Sequence, residues 1–239
     1  GGPTAAARSR LSLQTQYWTT RGFAVIDVNY GGSVGYGRAY RDLLQDAWGI
    51  VDVEDCIAAV EYLAASGRAD RDRLCIRGGS AGGFTTLAAL ANSELFAAGT
   101  NLFGVADLTA LAEETHKFES RYLDGLIGPY PEAADVYVER SPLTHVGDLD
   151  SPLAVFQGLD DEVVPPNQSE MIVEALQAKG VPVVYRAFAG EGHGFRRSES
   201  VIEVLETEFA FYGAVLGFTP AGLEREVPFL DQPGADGAD

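Results

Sequence analysis

Short apolar runs alternate with stretches whose apolar residues recur at helical spacing through most of the chain. Residues 23–28 (FAVIDV) have the continuous apolar character of a buried strand, and a glycine-rich loop at 29–37 follows them. Over 51–63, Val53, Ile57, Val60 and Leu63 recur at helical spacing, and the pattern stops near Ser66-Gly67, where glycine suits a helix C-cap. Residues 74–76 predict a short strand, 82–90 a helix and 102–105 another strand. The stretch 108–146 is polar and mixed, with Tyr122, Tyr130 and Tyr137, and reads as an insertion of helices and loops. Regular alternation resumes with a strand at 153–156, a helix at 168–179, a turn at Gly180, a strand at 183–188 and a helix at 201–216. Strand and helix alternating in this way predict an α/β fold with a parallel sheet and right-handed crossovers. After Gly217 the chain turns to Pro, Gly and Asp, so 218–239 is expected to be a tail.

Composition narrows the class. At 239 residues, with 46% hydrophobic and 22% charged positions, the chain suits one domain with a single core, and collagen, coiled coil and wholesale disorder are excluded. The formal net charge of −18 repels phosphate backbones and anionic lipid, which argues against nucleic acid or a membrane surface as partner. No apolar run reaches the roughly 18 residues a membrane helix needs. Two cysteines, Cys56 and Cys75, fall inside apolar patterns and read as small buried hydrophobes of a reducing compartment, hence a cytoplasmic location. No Cys/His cluster has metal-ligand spacing, so neither a metal nor a cofactor is expected. The chain opens on Gly-Gly-Pro with no Met and no signal-like region, which reads as a cut inside a longer protein.

The strongest chemical signal is Gly78-x-Ser80-x-Gly82, within Gly78-Gly79-Ser80-Ala81-Gly82-Gly83, placed after a strand and before a helix. This G-x-S-x-G spacing is the nucleophile elbow of hydrolytic α/β folds. A serine on so tight a turn adopts a strained backbone, the glycines permit the close packing, and the following helix N-terminus favours a developing oxyanion. A phosphate loop of the Walker type would need Lys then Ser or Thr where Phe84-Thr85 stand, and a dinucleotide fingerprint would need glycine where Ser80 stands.

A serine hydroxyl is a weak nucleophile until a base takes its proton. Of the three histidines, His116 sits in a polar run and His145 has no evident partner, whereas His193 lies between Gly192 and Gly194 in a loop after the strand at 183–188. Loops at the carboxyl ends of parallel strands are where such sheets carry their chemistry. An orienting carboxylate is expected between Ser80 and His193, and Asp160, Asp161 and Glu162 follow the strand at 153–156; periodicity does not choose among them. An oxyanion site needs a second N–H donor besides that of Ala81, and Gly1-Gly2-Pro3 is a candidate.

With these residues in view, the chain resembles the catalytic domain of the prolyl oligopeptidase family of serine peptidases, most closely its acylaminoacyl-peptidase and dipeptidyl-aminopeptidase branches. Five segments carry the resemblance: Gly1-Gly2-Pro3, residues 29–37, 78–83, 158–168 and 191–195. It implies an α/β-hydrolase fold over 1–217 whose first strands are missing, with helices on both faces of the sheet. It also implies Ser80 as nucleophile, His193 as base and Asp161 as orienting acid, with Gly2 and Ala81 as oxyanion donors. The family spacing selects Asp161, three residues before the Val of Val164-Pro165. The expected partners are a short peptide or aminoacyl amide as substrate and an N-terminal β-propeller of the same chain, with self-association left open. An acid that holds a free substrate amine is sought among Glu113, Glu114 and Glu119 or in the missing part. The sequence departs from common family patterns at Ala81, Gly31 and Val163, positions that bear on specificity. An esterase or lipase using the same triad, and a hydrolase-like binding module without catalysis, are the alternatives.

Overall fold

The structure is a computed structural model and describes residues 2–114, 121–223 and 225–231, apart from the side chain of Glu114. Among these, the helices are α1 (Leu13–Thr19), α2 (Arg38–Arg41), α3 (Val51–Ala65), α4 (Ala81–Asn92), α5 (Leu108–Glu114), α6 (Ala134–Arg140), α7 (Pro166–Lys179) and α8 (Ser198–Leu216). The strands are β1 (Cys75–Gly79), β2 (Ala98–Leu102), β3 (Leu153–Gly158) and β4 (Val183–Phe188). They form one parallel sheet in the order β1-β2-β3-β4. No helix of the described residues is long and apolar enough to cross a membrane.

Strand periodicity assigns the two faces of the sheet. On β3, Leu153 and Val155 join the cluster that includes Val53 and Val60 of α3, Leu87 of α4 and Ile172 of α7. Ala154 and Phe156 point the other way, into a cluster with Trp18 of α1 and Phe209 and Phe211 of α8. All six residues of β3 are buried, which is why the sequence reads there as an unbroken apolar run. At about 2 kcal/mol for each large apolar side chain fully withdrawn from water, these two faces are the main source of stability. Helix α7 ends at Gly180, whose φ of +80° suits glycine, as the turn there required.

The apolar run at 23–28 does not become a strand. It is extended and pairs with no strand among the described residues, and Val25 and Ile26 are 46% and 43% exposed. A strand needs a neighbour for its backbone groups, and among the described residues β1 pairs with β2 alone. The strand expected at 102–105 lies at Ala98–Leu102 instead, because the backbone at Phe103 turns to a φ of +42° and leaves the sheet. The stretch 108–146 holds α5, α6 and two 3-10 segments, Leu123–Gly125 and Pro142–Asp148. Beyond Gly217, where composition predicted a tail, most of the described residues are exposed and a few lie against the core. Phe218, Leu223 and Val227 pack beside α8, and the N–H of Leu230 donates to the carbonyl of Val183.

Both cysteines are free, and burial pushes each thiol up to about 12, with Asp52 adding to the effect at Cys56 and Glu208 at Cys75.

A buried ion pair ties the sheet to α8. Arg77 of β1 donates to both oxygens of Glu208, at 2.8 and 3.1 Å, and the Tyr212 hydroxyl donates to the same carboxylate at 3.2 Å. Glu208 is fully buried. Arg77→Met leaves that carboxylate without its charge partner, and the expected loss is roughly 3 kcal/mol or more, read as a lower urea midpoint with unchanged slope.

Candidate active site

The turn from β1 into α4 is close-packed backbone. A Cβ at Gly78 would lie 2.0 Å from the carbonyl oxygen of Gly82, and one at Gly83 would lie 2.5 Å from the Cα of Gly104, so glycine is required at both places. Ser80 between them has φ +57° and ψ −123°, a conformation that L residues rarely adopt. Ser80 is also the N-cap of α4, a place where a serine side chain ordinarily accepts from the helix N–H groups. Here it makes no such capping bond, and its hydroxyl lies 2.8 Å from Nε2 of His193. The first N–H groups of α4, beginning with Ala81, have no acceptor within the helix. Helix α4 is anchored from behind by Asp52 of α3, which accepts from the Thr85 hydroxyl at 2.5 Å and from the N–H of Gly49 at 2.6 Å. Burial pushes the Asp52 carboxyl above its usual range, and these bonds only partly offset that.

Asp161 follows β3 in a turn that the chain builds around its carboxylate. Oδ1 accepts from the N–H groups of Val163 and Val164, both at 2.9 Å, and Oδ2 lies 2.8 Å from Nδ1 of His193. The side chain of Asp161 has no solvent exposure, while Asp160 and Glu162 are exposed. The two contacts suit the tautomer in which Nδ1 donates to Asp161 and Nε2 accepts from the Ser80 hydroxyl. Buried Gln157, the last side chain of β3 before Gly158, accepts from Ser169 of α7 at 2.7 Å and donates to the Val164 carbonyl at 3.2 Å, bracing the Asp161 turn.

His193 sits after β4 in a loop held by Glu191. The Glu191 carboxylate accepts from the N–H groups of Arg196 at 3.0 Å and Arg197 at 2.9 Å, and its carbonyl accepts from Asp160 at 2.9 Å. Burial acts to raise this carboxyl, but the two N–H bonds and the Ser200 hydroxyl outweigh it and hold it below the ordinary range. The loop passes so close to β3 that a Cβ at Gly158 would come 2.3 Å from the Gly192 carbonyl.

The structure therefore brings Ser80, Asp161 and His193 together from the carboxyl ends of β1, β3 and β4, with Ala81 adjoining. Gly2 lies near the start of the chain with φ +68° and accepts from the N–H of Ala5, and Gly1 lies outside the described residues. His145 is engaged elsewhere, its Nε2 2.5 Å from the Glu139 carbonyl, and His116 lies outside the described residues. Of the acids considered for a substrate amine, Glu113 accepts from the Tyr130 hydroxyl at 2.5 Å; Glu119 and the side chain of Glu114 lie outside the described residues. Neither Gln157 nor the bracing role of Glu191 follows from the sequence motifs. The first had a signal, a polar residue closing the apolar run LAVFQG; the second had none beyond its place beside His193.

An apolar cluster built from the 108–146 stretch, including Leu108, Leu123, Ile127 and Tyr137, packs against Ala81 and Val164, the residues beside the elbow and the acid turn.

Comparison with known proteins places the chain among peptidases of one family and fold. The chain is 34% identical to dipeptidyl aminopeptidase BIII of Pseudoxanthomonas mexicana, a match that covers 99% of this chain and 36% of that protein. It is 29% identical to an acylamino-acid-releasing enzyme of Arabidopsis thaliana over 85% of this chain and 28% of that one. Among solved structures, a puromycin-hydrolysing peptidase of Mycobacterium tuberculosis matches with 55% identity and a TM-score of 0.92, covering 94% of this chain and 34% of that one. A puromycin hydrolase matches with 48% identity and a TM-score of 0.93, covering 97% and 35%. The chain thus spans about a third of the length of these relatives, which are α/β-hydrolase peptidases. With the prolyl oligopeptidase family model matching residues 9–219, a span that runs from before α1 past the end of α8 and takes in the elbow, the acid turn and the histidine loop, the chain belongs to the prolyl oligopeptidase family.

Proposed function

We propose that this chain carries the catalytic centre of a serine peptidase that cleaves short peptides or aminoacyl and acylaminoacyl amides. The observation that supports it above others is that both imidazole nitrogens of His193 are engaged at 2.8 Å, one by a hydroxyl and one by a buried carboxylate. Ser80 Oγ attacks the amide carbonyl carbon while Nε2 of His193 takes the hydroxyl proton. Asp161 keeps the ring in the reactive tautomer and stabilises the imidazolium that forms. The oxyanion donors assigned to this centre are the N–H groups of Ala81 and Gly2, and loss of one such donor costs about 3 kcal/mol of transition-state stabilisation. The intermediate then expels the amine, which takes its proton from His193 and leaves an acyl ester on Ser80. Water, deprotonated by the same imidazole, releases the acid and restores the hydroxyl.

The relatives named for puromycin hydrolysis bear on the substrate class. Puromycin joins an aminoacyl group to a nucleoside through an amide, so the preferred substrate here is an aminoacyl amide with a free amine. The remaining two thirds of such a protein is where an access-limiting β-propeller would lie.

A fluorophosphonate probe applied to the full-length protein is expected to label Ser80 with one equivalent. In parallel, puromycin and aminoacyl-naphthylamides are expected to turn over faster than N-acyl peptides and faster than matched esters. Labelling elsewhere, or none, removes Ser80 from the mechanism; turnover of esters alone favours the esterase reading.

A further inference from the structure

Phe103 is a bulky residue in a backbone region that bulky residues avoid. Its φ is +42°, and the only other non-glycine positions above zero among the described residues are Asp46 and Ser80. The strain is held in place by the strand ends around it. Its N–H donates to the Phe156 carbonyl at 2.7 Å, and the Leu102 carbonyl before it accepts from the N–H of Ser80 at 3.0 Å. Strained residues persist where surrounding structure over-determines them, and they gather at functional sites.

The turn aims the aromatic ring at the imidazole. Its centroid lies 5.0 Å from that of His193 with the planes 65° apart, and 5.4 Å from that of Phe195. Phe195 rests in turn on Phe188 at the end of β4, 5.0 Å away. Gly79 leaves room for the Phe103 ring, since a Cβ there would lie 3.1 Å from it.

This contact supplies what the hydrogen bonds of His193 do not. The bonds to Asp161 and Ser80 define an axis through the two ring nitrogens, and the ring can roll about that axis while lengthening neither bond much. Its chain neighbours, Gly192 and Gly194, have no side chains to resist the motion. We propose that Phe103 is a positioning residue: its ring, held against the imidazole by a strained turn, sets the plane in which Nε2 takes the Ser80 proton. The proposal rests on the serine-peptidase reading above.

The test uses the full-length protein and an aminoacyl-naphthylamide. Phe103→Gly removes the ring and gives the backbone a residue at ease with positive φ. The expected result is a fall in kcat of up to about a hundredfold with KM unchanged, since small misplacements of a reacting group cost that much. The Tm is expected to fall, because the ring packs beside the core cluster of Phe188 and Phe209 and glycine loosens the unfolded chain, so rates are read well below both melting temperatures. Phe103→Tyr, which keeps the ring, is expected to restore most of kcat. Wild-type kcat in Phe103→Gly, or a Tyr variant as slow as the Gly variant, overturns the proposal. Should Phe103→Gly not fold, Phe103→Asn carries the same readout, since Asn tolerates this region; failure of both to fold makes the ring ordinary core packing and overturns it as well. Ser80→Ala run alongside separates the two claims: full turnover there removes the serine reading itself, whereas an inactive Ser80→Ala beside a fast Phe103→Gly removes only the role of Phe103.

Discussion

Ser80→Ala is expected to abolish turnover of aminoacyl amides, by a factor on the order of 10⁶ in kcat, the scale of nucleophile loss in a well-studied serine protease. The fold is expected to survive. Alanine carries the same Cβ as serine, so the backbone strain at φ +57° is neither relieved nor worsened. The hydroxyl caps no helix N–H, and its partner His193 keeps its bond to Asp161. The stability change should therefore stay within about 1 kcal/mol, the net worth of one ordinary hydrogen bond. The measurement is paired: steady-state rates on an aminoacyl-naphthylamide and a urea melt of the same preparation. A melt midpoint close to wild type with undiminished rates would mean that another group does the chemistry.

Asp161→Asn has the second largest expected effect, a loss of about 10⁴ in kcat, the size seen when the orienting acid of such a triad becomes an amide. The geometry says why an amide of the same shape fails here. The N–H groups of Val163 and Val164 both point at Oδ1, so the amide oxygen must take that place. The amide nitrogen then faces Nδ1 of His193, and two donors cannot share that contact. The imidazole proton moves to Nε2, which presents an N–H to the Ser80 hydroxyl where a lone pair is needed. KM is expected to change little, because the buried carboxylate touches no substrate. Asp160→Asn and Glu162→Gln, on exposed neighbours, serve as controls and should leave kcat near wild type. Equal losses at Asp160 and Asp161 would point to a collapse of the turn instead of a tautomer effect.

The pair of variants also shows where sequence reasoning had purchase. The elbow was legible because its requirements are local: glycines at fixed offsets, a strand before and a helix after, all within Arg77 to Phe84. Strand β3 was legible because burial on both faces leaves an unbroken apolar run. The run at 23–28 carries the same signal and misleads, because a strand also needs an adjacent strand, and no run of letters states what lies beside it. The end of β2 was misplaced for a related reason. Apolar character continues through residues 103–105, while the backbone turn at Phe103 is imposed by the carbonyl of Phe156, distant in sequence. Choice of acid stood open on periodicity alone, since Asp160, Asp161 and Glu162 are equally acidic in the chain. They differ in that one is enclosed by two N–H groups and faces an imidazole.

Residue types, their order and the local turn chemistry are properties of short segments, and they suffice for the α/β class, the strained serine and the glycine-flanked histidine. The meeting of groups 113 and 32 residues apart is of another kind. It follows from parallel register, in which the last residues of β1 and β3 each pair with the end of the neighbouring strand, Gly79 with Leu102 and Gly158 with Phe188. That register is set by side chains interlocking on both faces of the sheet, an energy distributed over the whole core, and so it is fixed only when the entire chain has packed.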